Sequence, residues 1–169
     1  MNTNDLILHT LHQSTLTEEL RDTEVEELAK IIELKEYKAG TYLLKPNESE
    51  LRNSLIMLVS GEVEATATIG GERATLHLLQ PGDLAGIITF VGGSVAQIGA
   101  TVMAKSDSKV LLLERSRLES FLSTNPAIVY YVMRGVVRHV HGVTRRMMRR
   151  MNMQSVEMIN YIYKQSGRY

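Results

Sequence analysis

The chain has no cysteine in its 169 residues, which excludes disulfides, thiolate metal sites and thiol redox sensing. It has no apolar run near the ~18 residues that a membrane-spanning helix needs. Met1-Asn2-Thr3-Asn4-Asp5 offers no basic region leading into an apolar core, so no secretory signal is expected. A cytoplasmic location is the expectation. Internal repeats, low-complexity tracts, nucleophile elbows, phosphate loops and paired-carboxylate motifs are all missing. No enzyme activity, cofactor or metal site is therefore expected. The net charge is zero, with 19 Lys and Arg against 19 Asp and Glu.

That balance hides an asymmetry. Residues 18–27 carry Glu18, Glu19, Asp22, Glu24, Glu26 and Glu27 against Arg21 alone. Residues 134–150 carry Arg134, Arg138, Arg145, Arg146, Arg149 and Arg150 with no acid. Such segregation marks a partner surface, a solvated helix face, or elements that meet within a dimer.

What is present reads as helices, then strands, then helices. Leu6, Ile7, Leu8 and Leu11 give residues 5–13 a short amphipathic helix. Thr17 with Glu18 and Glu19 reads as a helix start. Val25, Leu28, Ile31 and Ile32 predict a helix over 23–33. Short β-like runs follow at 42–44, 55–59, 62–69, 74–79, 99–104 and 110–113, broken at Pro46, Gly61, Gly70, Pro81-Gly82 and Lys105 to Ser108. Turns roughly every 10 residues are the mark of an all-β sandwich or roll. Ser116 reads as the cap of a short helix over 117–122. Asn125-Pro126 opens a helix running to about Lys164, roughly 55 Å long. Glu62, Glu64, Thr66 and Thr68 read as solvent-facing strand positions. The domain reading is 1–124 for N-terminal helices and roll, and 125–169 for the long helix and tail.

The long helix carries a stripe of mostly apolar positions: Val129, Met133, Val136, Val140, Val143, Met147, then Met151, Gln154, Met158 and Ile162. Its four-and-three spacing is that of a coiled-coil seam, with a stutter near Met147 and Met151. A helix this long overhangs a compact roll. Its stripe is therefore expected to bury against a second copy of the chain, making a homodimer. On the same helix Arg145, Arg146, Arg149 and Arg150 form a basic band.

The order and spacing of several landmarks carry a family likeness over about residues 15–150. They are Ala39-Gly40, Val59-Ser60-Gly61-Glu62-Val63, Leu79-Gln80-Pro81-Gly82-Asp83, Gly86, Ala100-Thr101-Val102-Met103-Ala104 and Asn125-Pro126. The chain resembles the effector domain of the Crp/Fnr superfamily. The likeness implies an α+β fold: an antiparallel β-roll of the jelly-roll, cyclic-nucleotide-binding type, with N-terminal helices and a long C-terminal dimerisation helix. It also implies a cupped pocket lined by Gly86, Ile87, Ile88, Ser94, Gln97, Ile98, Gly99, Val143 and Thr144, and a short helix over 86–90 whose amides face an anion. In that family a glutamate follows the second glycine and grips the ribose hydroxyl. An arginine before the Ala-x-Val pair grips the cyclic phosphate. Here those positions hold Ile87 and Ile98, and the pair that meets the purine is Val143 and Thr144.

Losing the carboxylate removes a charged hydrogen bond of about 1.5–3 kcal/mol. Losing the arginine removes a bidentate phosphate contact. At about 1.4 kcal/mol per decade the two losses weaken cyclic-nucleotide binding by several orders of magnitude. Ile87, Ile88, Phe90 and Ile98 read as core, as a filled pocket, or as a site for an apolar effector. No second globular domain fits into residues 155–169, so a DNA-binding winged helix-turn-helix is not expected. The leading expectation is a stand-alone regulatory homodimer that works through a protein partner. The alternatives are a small-effector sensor and a nucleic-acid binder acting through the arginine band.

Overall fold

The computed structural model describes residues 2–46, 51, 53–69, 72–92 and 100–166, and the chain divides into two compact units, residues 1–136 and 137–169. The division falls inside the long helix. The helix's first turns bury apolar side chains in the core of the first unit.

Helix α1 (Thr3–Gln13) is held at its start by a reciprocal cap. The Asp5 amide donates to the Asn2 side chain at 2.8 Å, and the Asn2 amide donates to the Asp5 carboxylate at 3.3 Å. Thr17 starts no helix. It is buried, and its hydroxyl donates to the Leu11 carbonyl, closing the end of α1. Helix α2 (Asp22–Ala29) begins later. The buried Glu24 carboxylate accepts from the Arg21 guanidinium at 2.8 Å and from the Arg21 amide at 2.9 Å. The guanidinium bond first, and the amide bond second, hold this carboxyl below the usual glutamate range.

Helix α2 stops at Ala29, short of the expected Glu33, and strand β1 (Glu33–Tyr37), which the sequence did not predict, begins there. The pull is tertiary: Leu34 pairs with Leu111 and Lys35 with Val110 of strand β8 (Ser108–Glu114). The other strands are β2 (Tyr42–Leu44), β3 (Ser54–Ser60), β4 (Val63–Ile69), β5 (Glu72–Leu78), β6 (Leu84–Ala85) and β7 (Ala100–Ala104). They form two antiparallel four-stranded sheets, ordered β1-β8-β3-β6 and β2-β7-β4-β5.

The two central strands of the first sheet, β8 and β3, are buried on both faces. Leu55, Met57, Val59, Leu111 and Leu113 pack in one cluster with Leu11, Val25, Leu28, Ile128 and Val132 from the helices. Their neighbours Ile56, Leu58, Val110 and Leu112 pack in a second cluster with Val63, Leu78, Val102 and Ala104 of the other sheet. This double burial explains the nearly unbroken apolar runs of β3 and β8. Each such side chain contributes about 1.5–3 kcal/mol.

A short helix α4 (Arg115–Glu119) and a 3₁₀ turn (Ser120–Leu122) follow β8. Helix α4 starts before the expected Ser116 cap, whose hydroxyl instead donates to Glu114 at 2.6 Å. Helix α5 (Pro126–Ser166) closes the chain. Ile128 and Val132 are fully buried in the helix-side core. A Cβ at Gly135 would stand 2.7 Å from the Leu16 Cα and 2.8 Å from the Thr15 carbonyl oxygen. Glycine is what lets the helix touch that backbone. The seam expectation is corrected here for Val136: it lies 2% exposed within the chain's own core, with Val129 and Met133 packed beside it.

Candidate functional site

The site is built around a turn that the sequence dictates. The Asp83 carboxylate accepts from the Leu79 and Gln80 amides, each at 3.0 Å, and sets the bend into β6. Gly86 follows in the left-handed region (φ +75°), with its Cα so near the Ser54 carbonyl that a Cβ would stand 2.7 Å from that oxygen. Helix α3 (Ile87–Val91) starts at once, and Thr89 returns a hydroxyl bond to the Gly86 carbonyl at 2.9 Å.

The isoleucines split. Ile87 is half-buried and packs against the helix-side core, where Phe90 is fully buried. Ile88 is 41% exposed and so is not core. Where the family pattern wants a carboxylate, the chain therefore has an aliphatic group held by packing. Ser94, Gln97, Ile98 and Gly99 lie outside the described residues.

The sheet wall is equally apolar. Strand registers align Ala65 with Leu76 and Val102, and Ala67 with Ala74 and Ala100. These share the face that buries Val63, Leu78 and Ala104, so from Val63 to Ala67 and from Ala74 to Leu78 this wall is apolar. The polar residues take the other face, as expected for Glu64, Thr66 and Thr68. There His77 sits 3.6 Å from Glu62 and 4.0 Å from Glu64.

Arg115 was missed by sequence reasoning. Its guanidinium donates to the Phe90 carbonyl at 3.4 Å, and its Nε lies 3.7 Å from Glu119. A side chain at Gly92 would collide with it. It braces the end of α3 from a distant stretch of chain, and no local pattern links the two.

In the second unit, Val143 is half-buried. Thr144 is exposed, and its hydroxyl donates to the Val140 carbonyl at 2.9 Å within its own helix. Val140 and Met147 are each 44% exposed, Met151 and Met158 each 66%. Arg145, Arg146 and Arg149 are exposed, and the Arg150 side chain lies outside the described ones. Among the described residues no three His, Asp or Glu side chains converge as metal ligands, and no helix is long and apolar enough to cross a membrane.

Two clefts open at the β1 edge. One, of about 480 Å³, runs between β1 and β2 beside Tyr37, Tyr42 and Leu51. The other, of about 180 Å³, lies beside Lys35, Asn53 and Arg117. Neither holds a residue that the sequence picked out.

Residues 34–125 match the family model of the cyclic nucleotide-binding domain. No curated protein matches the chain. Among solved structures, a cyclic nucleotide-binding domain from Methylobacillus flagellatus KT superposes with a TM-score of 0.72 at 17% identity, covering 89% of this chain and 83% of that one. The catabolite activator protein of Thermus thermophilus gives 0.57 at 23% identity, over 88% of this chain and 64% of that one. The regulatory subunit of a cAMP-independent protein kinase A from Trypanosoma cruzi, bound to guanosine, gives 0.58 at 20% identity, over 78% and 45%. At these identities the structural likeness speaks for the fold.

Proposed function

Because the chain belongs to the cyclic nucleotide-binding domain family, matched over more than half its length, we propose that it is a non-catalytic regulatory module whose pocket has lost the charges that hold a cyclic nucleotide. The observation that carries this reading is Ile87. It follows the left-handed Gly86 directly and packs half-buried on the helix-side core, so an aliphatic group stands where a carboxylate would, and the inner face of the second sheet adds only Ala65, Leu76 and Val102 beside its own cluster. A ribose hydroxyl and a cyclic phosphate entering such a space lose water and gain no charged partner.

The module acts as a homodimer. The exposed apolar stripe of Val140, Met147, Met151 and Met158 supports this, because a second copy buries on both sides what one chain leaves in water. Its output passes through a protein partner.

A second reading is favoured by the apolar wall itself, which suits a neutral effector better than an anionic one. The guanosine-bound kinase subunit of similar fold makes an uncharged purine nucleoside the first candidate. Calorimetric titration with cyclic AMP, cyclic GMP and guanosine tests both readings. The expected result is no saturable heat from either cyclic nucleotide up to about 1 mM, a binding energy of about 4 kcal/mol. Micromolar capture of a cyclic nucleotide overturns the loss of recognition, and saturable guanosine binding selects the second reading. Light scattering after gel filtration is expected to give twice the 19.0 kDa chain mass.

A further inference from the structure

The distal part of α5 carries a charge pattern that the pocket and the seam leave unused. No Asp or Glu stands between Glu119 and Glu157, and no Lys between Lys109 and Lys164. Every full cation of the helix in that interval is an arginine. Arg145, Arg146 and Arg149 are exposed, and none of the three has an ion-pair partner among the described residues. At about 100° per residue they occupy an arc of roughly 100°, centred about 170° from Val140, Met147 and Met151. Between Gly142 and Arg149 that arc holds no other side chain. The helix thus has an apolar face and, opposite it, a face of bare guanidinium groups.

We propose that this arginine face binds the phosphate backbone of double-stranded nucleic acid without reading its sequence. Arginine is the cation whose planar fork meets phosphate with two parallel hydrogen bonds. An acidic protein surface is irregular, and its recognition draws on mixed polar, aromatic and apolar contacts. Over the two turns from Gly142 to Arg149, before Met153 and Val156 continue it, this arc offers charge alone, which suits a repetitive polyanion. The site is independent of the pocket and leaves the apolar stripe free for a second copy. In a dimer the two arginine faces point outward on opposite flanks, so each engages its own stretch of duplex.

The test is fluorescence anisotropy with a labelled 30-base-pair duplex of arbitrary sequence, across a salt series. Three phosphate contacts predict a slope of log K against log salt of about −2.7, so that affinity drops about 40-fold between 50 and 200 mM. Replacing all three by glutamine (Arg145→Gln, Arg146→Gln, Arg149→Gln) is expected to abolish binding and its salt slope. Replacing all three by lysine is expected to keep the slope. Unchanged circular dichroism and elution volume show that the variants fold, and Arg149→Gln alone, which lowers the slope by about one, serves if the triple change does not. Three results overturn the proposal: no duplex binding at 25 mM salt, duplex binding that the glutamine variant retains, or preference for poly-glutamate or for vesicles of anionic lipid over the duplex.

Discussion

The two parts of α5 present the same apolar period to different surroundings. Ile128, Val132 and Val136 are 0–2% exposed, while Val140, Met147, Met151 and Met158 are 44–66% exposed. Both sets lie on one helix stripe, the proximal one as β-branched aliphatics four apart and the distal one as a valine and three methionines at spacings of seven and four. The proximal set is held by Leu11, Val25, Leu28 and the first sheet. Among the described residues the distal set stays largely in water. An amphipathic stripe therefore says that a helix face will be buried and not by what.

The sharpest break in that comparison comes from truncating each set. Ile128→Ala removes buried methyl groups, and its expected cost is about 2–5 kcal/mol, read as a lower denaturant midpoint with an unchanged slope. Next come the two glycines of the helix, for which opposite signs are expected. Gly135→Ala drives a Cβ into the Thr15–Leu16 backbone, which cannot yield, and costs about 1–3 kcal/mol despite the better helix former. At Gly142 the nearest atom to a Cβ is the flexible Arg146 guanidinium at 3.7 Å, so Gly142→Ala is expected to gain up to about 1 kcal/mol and raise helicity. If both substitutions destabilise alike, the proximal and distal parts are not as different as described.

The seam is sharpened by Met147→Glu with Met151→Glu. Light scattering is expected to fall from dimer to monomer mass, while the unfolding transition of the first unit keeps its midpoint to within about 0.5 kcal/mol. A dimer that survives the double change places the interface elsewhere.

The smallest effect is electrostatic. The folded Glu24 carboxyl lies below its unfolded value, held there by the Arg21 guanidinium and then by the Arg21 amide. Its contribution is complete above the unfolded value of about 4.3 and is lost as the pH falls through the lower folded one. Acid titration of stability is expected to show this limb in the native chain and a flatter one in Glu24→Gln. The change belongs to the first unit, so the distal helix signal should not follow it.

Most of the roll was legible because its turns are chemically marked. Pro81-Gly82-Asp83 and Ser60-Gly61 stop strands for local reasons, and Asn125-Pro126 starts α5 where proline's missing N–H costs nothing. β1 was not legible, since Glu33 to Tyr37 has no strand pattern and exists only through its pairing with β8. Thr17 and Ser116 carry cap-forming side chains that the fold uses elsewhere, on the Leu11 carbonyl and on Glu114. In the candidate site Gly86, Ile87 and Phe90 were named from the chain alone; the structure places Gly86 at the left-handed start of α3, Ile87 against the core and Phe90 within it. Arg115 escaped because its contact with the end of α3 spans 25 residues.

The order of residues alone determined the periods: two along the strands, three and four along α5, and the points where each gives way to the next. It also determined which chemical groups stand after Gly86 and along the arginine face, for these are matters of composition. Only the folded chain decided burial. It made Val136 core and left Val140 in water, gave Gly135 a backbone to touch, and covered both faces of the first sheet's central strands but one face of the other sheet. The reason is physical. A period follows from backbone geometry within a few residues, whereas burial depends on neighbours that the chain brings back from far away.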